Sequence, residues 1–129
     1  MTVAVICSAL LGLLLMGLGF AVSTQRGRSE VLIGHPADPE DPTHKIVRAH
    51  GNTAEYAPML AVLMLVAARF EPATWILWVM GIGTAARFVI VIGLMLGSLE
   101  KPNAFRFAGA ALTYVAGIIL ALNILISAA

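Results

Sequence analysis

Four apolar runs take up most of this 129-residue chain: Val3 to Val22, the later half of Lys45 to Ala68, Ala73 to Leu99, and Phe105 to Ser127. Counting the polar first half of the second, each span reaches or exceeds the roughly 20 residues that cross a bilayer. A bilayer core offers backbone N–H and C=O groups no water, so spans of this length are helices. Charged residues make up only 12% of the chain, against about 25% in soluble domains. Mean hydropathy is +0.92. The expected fold class is an all-α membrane protein with four transmembrane helices in one domain, residues 1–129. A net charge of +1 singles out no partner, and no nucleic acid is expected. Cys7 is the one cysteine, so an intrachain disulfide is impossible; it reads as a small buried hydrophobe.

The first span holds no charge, and Gly12, Gly17 and Gly19 allow a neighbouring helix to come close. Ala21-Val22-Ser23 resembles a cleavage site. The run lacks a basic leader and exceeds signal-peptide length, so a span is the expected reading. Thr24 to Lys45 is polar and carries Pro36, Pro39 and Pro42, which argues against helix throughout. Within it, His35, Asp38, Glu40, Asp41 and His44 match no metal-ligand spacing and read as a solvated acidic loop. The second span contains Pro58, which a membrane helix tolerates with a kink. Arg69-Phe70-Glu71-Pro72 is a turn, and Trp75 and Trp78 put the start of the third span at a headgroup boundary. Glu100 to Asn103 turns into the fourth span, where Gly109, Thr113, Gly117 and Ala121 form a small-residue packing ridge. Gly93 and Gly97 make a similar pair on span three.

Four spans return both termini to one side. Loops one and three carry Arg26, Arg28, Lys45, Lys101 and Arg106, while loop two carries only Arg69. The positive-inside rule places loops one and three in the cytoplasm and the termini opposite.

Most of the polarity inside the spans gathers in one stretch, Arg48-Ala49-His50-Gly51-Asn52-Thr53-Ala54-Glu55-Tyr56-Ala57-Pro58. Arg48, Asn52 and Glu55 fall at i, i+4 and i+7, which stacks them on one helix face over roughly 10 Å. Arg106 meets this face from span four. Arg87, midway along span three, faces the bundle interior because a charge there cannot face lipid. Three arginines, a glutamate and an asparagine suit an anionic ligand that also bears ammonium or amide groups. An internal ion-pair network, with Arg87 paired to Glu55, is the alternative. Both readings stay open on these grounds. His50 lies off the stacked face as an interfacial polar residue. Tyr114 reads as packing with a locally bonded hydroxyl, and Asn123 as an interhelical hydrogen bond.

The pattern Arg48-Ala49-x-x-Asn52-x-x-Glu55-Tyr56-x-Pro58 resembles the signature of the membrane-associated proteins in eicosanoid and glutathione metabolism, the MAPEG family. Ala86-Arg87 followed by Gly93 resembles that family's third-span motif. Arg106-x-x-Gly109-x-x-x-Thr113 resembles the start of its fourth span, especially in bacterial members. The resemblance covers essentially the whole chain. It implies a left-handed four-helix bundle, a homotrimer, and reduced glutathione bound between subunits near the cytoplasmic face. It implies that Arg48, Asn52, Glu55 and Tyr56, with Arg87 as a further contact, bind glutathione. Arg106 is then the catalytic cation that favours the thiolate, with Lys101 as the alternative. Lipophilic electrophiles would enter from the membrane lipids.

The chain departs from the family at two positions. Ile90 and Leu94 stand where members place a tyrosine or histidine and a further tyrosine, which argues against an eicosanoid synthase. The expected activity is a glutathione transferase or peroxidase. A non-catalytic binding protein of the same fold is the main alternative. A small multidrug transporter is a weaker one, because its essential glutamate belongs on a first span that here has no acid.

Overall fold

Side-chain caps start two of the four helices, α2 and α4, in the computed structural model, which describes residues 1–129. Helix α1 spans Thr2–Ser29, α2 Pro42–Ala67, α3 Thr74–Leu96 and α4 Ala104–Ala128. Asp41 caps α2, its carboxylate accepting from the N–H of Thr43 (2.7 Å) and His44 (3.4 Å). Pro42 occupies the first turn, where the missing N–H removes no helical bond. Asn103 caps α4 in the same way, accepting from Phe105 N–H (2.9 Å) and Arg106 N–H (3.4 Å). A single 3₁₀ turn, Ala68–Phe70, follows α2, and Glu71 closes it at φ 48°. The chain is all-helical with no strand, and all four helices are long and apolar enough to cross a membrane.

The polar first segment is more helical than its prolines suggest. Helix α1 continues seven residues beyond Val22 to Ser29, and Pro42 begins α2 instead of excluding it. Arg26 and Arg28 lie in the last turn of α1, where cations complement the partial negative charge of the carbonyls. Residues 30–41 are left as loop one. Helix α2 runs unbroken through Pro58.

Helix α3 packs most extensively on α4, and α1 on α2. Two apolar clusters result. The larger joins Ala4, Cys7, Leu11, Leu60, Met64, Ile76, Met80 and Leu120, towards the end that holds the termini. The smaller joins Leu18, Ala49, Ile90 and Leu94, at the end that holds loops one and three. Cys7 is buried as expected.

The α3–α4 contact depends on missing side chains. A Cβ on Gly109 would lie 2.8 Å from both Cβ and N of Ile90 and 2.9 Å from the Ala86 carbonyl oxygen. A Cβ on Gly93 would lie 2.8 Å from the backbone N of Arg106. Gly109 and Thr113 of the expected ridge are buried, while Gly97 lies just past the end of α3, against the Asn103 side chain.

His50 lies between α1 and α2, its ring 3.4 Å from where a Gly19 Cβ would be. Asn123 differs from expectation: its side-chain oxygen is buried without a hydrogen-bond partner in the chain. Only 26 of the 129 residues are buried, and large apolar side chains such as Leu13, Met16, Phe20, Leu125 and Ile126 lie exposed. Apolar surface on that scale needs a cover of lipid or protein.

Candidate functional site

The N-termini of α2 and α4 and the C-termini of α1 and α3 meet at one end of the bundle. A cleft of about 740 Å³ opens there between α2, α3 and α4. Arg48 and Asn52 line it from α2, Ile90 and Leu94 from α3, and Arg106, Phe107 and Ala110 from α4. Glu100, Lys101, Pro102 and Asn103 of the third loop complete the wall. The cleft therefore contains three cations and one acid.

Arg106 is braced from behind. Its Nη1 donates to the carbonyl oxygens of Ser98 and Leu99, 3.2 Å each. Its Nε and Nη2 make no bond within the chain and are free to face a ligand. Lys101 lies on the same wall but is exposed.

Arg48 and Glu55 pair along α2 at 3.5 Å, with both side chains about half exposed (51% and 52%). This is the expected stack, one face of one helix. A pair so exposed exchanges readily with solvent or ligand.

Arg87 is the deepest charge, 1% exposed. Its Nη2 donates to the Asn52 side-chain oxygen at 2.6 Å and to the Asn52 carbonyl at 2.9 Å. Its Nη1 reaches Thr113 Oγ1 at 3.5 Å, and its guanidinium lies 5.3 Å from the centre of the Tyr56 ring. The expected partner, Glu55, is not bonded to it. Heptad arithmetic fixes heights along helices but not the angular position of one helix about another, and Asn52 occupies the angle that faces α3. Arg87 is thus a second layer behind Asn52 and does not line the cleft.

Tyr56 lies one turn deeper than Asn52. Its hydroxyl is 3.3 Å from that of Tyr114, and the two rings pack at 5.5 Å. Tyr114 therefore bonds across two helices, not locally as expected. Below this pair an apolar groove of about 340 Å³ continues between α2 and α4, lined by Met59, Leu60, Leu63, Gly117 and Ile118. Polar cleft and apolar groove follow one another along the α2–α4 seam.

The MAPEG family model matches residues 4–126. The chain belongs to the MAPEG family. Comparison with curated proteins found no match. The four spans, the RAxxNxxEYxP stretch and the cleft residues all lie inside the matched region, and membership makes this a membrane protein. The two positions that depart from the MAPEG pattern, Ile90 and Leu94, lie on the α3 wall of the cleft, where both side chains are buried.

The sequence pattern did not mark the residues that hold Arg106. Ser98 and Leu99 act through main-chain oxygens, which carry no residue signature. Glu40, expected in a solvated loop, instead reaches Ser98 and Leu99 with its carboxylate. His35 and His44 stack with ring centres 3.8 Å apart, and both use Nδ1 against the Pro36 carbonyl.

Proposed function

We propose that the protein binds reduced glutathione in the α2–α3–α4 cleft and joins it through its sulfur to apolar electrophiles dissolved in the bilayer. The observation that carries this reading is Arg106, braced through one guanidinium nitrogen with its remaining N–H groups unpaired in an anion-suited cleft. Arg48 and the Asn52 amide receive the ligand's carboxylates, and Glu55 receives its ammonium by exchanging its pairing with Arg48. Tyr56 closes the inner end, and Arg87 holds Asn52 from behind.

The free thiol has a pKa near 8.5, and a neighbouring cation stabilises its thiolate. The thiolate then attacks an electrophilic carbon. The new S–C bond takes the sulfur lone pair, and the electrons of the breaking bond depart with the leaving group. The apolar groove below Tyr56 and Tyr114 suits the electrophile, which reaches it laterally without crossing water. On the positive-inside argument the cleft opens to the cytoplasm and the termini lie on the opposite side. A homotrimer fits the exposed apolar faces, including α1 around Gly12 and Gly17, where an added Cβ would meet nothing within 4 Å.

The test is conjugation of a chloronitroaromatic compound by protein in detergent, with and without glutathione. Arg106→Ala is expected to lower turnover near neutral pH by roughly tenfold or more, because one unit of thiol pKa changes the thiolate fraction about tenfold. Glutathione affinity should fall less. An unchanged rate removes Arg106 from the chemistry, and Lys101→Ala then tests the other cation. The second reading, a binding protein without catalysis, is favoured by the apolar Ile90 and Leu94 wall. Calorimetric binding of glutathione without turnover would select it.

A further inference from the structure

Loop one crosses the end of the bundle to grip the third loop, and Glu40 makes the grip. Its Oε1 accepts from the Ser98 hydroxyl at 2.6 Å and from the Leu99 N–H at 3.0 Å. Its Oε2 pairs with Lys45 Nζ at 2.7 Å, at the start of α2. Ser98 and Leu99 are the same two residues whose carbonyls accept from Arg106. One dipeptide therefore has its donors held by Glu40 and its acceptors holding Arg106.

We propose that Glu40 is a positioning residue for Arg106, acting through the Ser98–Leu99 dipeptide to set where the guanidinium stands in the cleft. The third loop, residues 97–103, has no helix of its own to hold it between Leu96 and Ala104. Asn103 Nδ2 ties its far end to the Gly93 carbonyl, and the tether from loop one holds Ser98 and Leu99. The arrangement also keeps the acid from quenching the cation. Glu40 forms its ion pair with Lys45, and Arg106 forms none. The carboxylate thus reaches the guanidinium only through neutral peptide groups. Lys45 and Ser98 hold the Glu40 carboxyl ionised, its pKa pushed down to about 2, so the grip persists through the physiological range. The consequence for catalysis rests on the proposed role of Arg106, but the brace itself does not.

Two readouts on the full chain in detergent separate these. The first is the rate at which phenylglyoxal modifies Arg106 relative to Arg69 at the opposite end, followed by peptide mass spectrometry. Glu40→Ala is expected to raise that ratio about threefold or more, as a loosened loop opens more often. Glu40→Gln, which keeps an acceptor, should give a smaller rise. Glu71→Ala controls for general loosening. An unchanged ratio in Glu40→Ala overturns the proposal, whatever glutathione does.

The second readout is the pH dependence of conjugation. The acid limb for Glu40→Ala should move up by about half a unit or more as the thiolate loses its aligned cation. The KM for glutathione should stay nearly constant. A merely structural role lowers the amount of active enzyme and leaves the limb in place, which would also overturn the proposal. If the parent protein shows no glutathione-dependent turnover, the proposed function fails, and the phenylglyoxal ratio alone decides on the brace.

Discussion

Asn52→Ala is the substitution on which the internal logic of the polar seam can be judged. It removes the acceptor 2.6 Å from Arg87 Nη2 and leaves the backbone carbonyl at 2.9 Å and Thr113 at 3.5 Å. Arg87 is 1% exposed, so only water entering from the cleft that Asn52 lines can take the lost partner's place. Ordinary interhelical hydrogen bonds in membrane proteins average about 0.6 kcal/mol. Bonds to a charged group contribute about 1.5–3 kcal/mol, and an unpartnered buried charge is costly. The expected loss is therefore about 2 kcal/mol, roughly a 30-fold change in the unfolding equilibrium. Arg87→Met removes the charge together with its desolvation cost and should be milder. In the double variant the methionine should recover about 1 kcal/mol or more of the asparagine's loss, since no cation is left stranded. The assay is equilibrium unfolding in mixed detergent–dodecyl sulfate micelles, followed by circular dichroism. A loss near 0.6 kcal/mol for Asn52→Ala, or strictly additive losses, would refute the claim that Asn52 and Arg87 form a strong charged hydrogen bond.

Gly109→Ala should destabilise by about 1–3 kcal/mol, because its Cβ would press on the Ile90 and Ala86 backbone, which cannot rotate away; thermal unfolding in detergent measures it. Arg48→Ala should change stability by no more than about 1 kcal/mol, its pair with Glu55 being half exposed, yet weaken glutathione in calorimetric titration. The Glu40 carboxyl titrates lower in the folded protein than the ordinary 4.5, so its contribution is complete above about pH 4.5 and is lost as pH falls through about 2. Hydrogen exchange at the Leu99 amide should accordingly remain protected at about pH 3.5, and Glu40→Gln should remove that pH dependence.

The spans were legible in the sequence because length and apolarity are one-dimensional quantities. So was the Arg48–Asn52–Glu55 stack, which needs only helical spacing. The meeting of Arg48 with Arg106 followed from topology, since both lie just inside loops that share a side. What escaped depends on the rotation of each helix about its own axis. Glu55 and Asn52 share a broad face yet lie about 60° apart around α2, and that smaller angle decides which of them Arg87 meets. Tyr114 escaped for the same reason. The helical ends of the first polar segment escaped because proline breaks a helix interior but, as Pro42 behind the Asp41 cap, starts one. The Glu40 grip escaped because its counterparts are a hydroxyl and a peptide group 58 and 59 residues away.

The bond from Arg87 to Asn52 has a further consequence for selectivity. An asparagine amide presents oxygen on one side and nitrogen on the other, and left free it turns to suit either kind of guest. Here a buried arginine takes the oxygen, and the amide nitrogen makes no bond within the chain. Asn52 is thereby committed as a hydrogen-bond donor before any ligand arrives. The mouth of the cleft is rigged for acceptors, and a guest of otherwise matching shape that offers only N–H groups at this point meets a donor facing a donor.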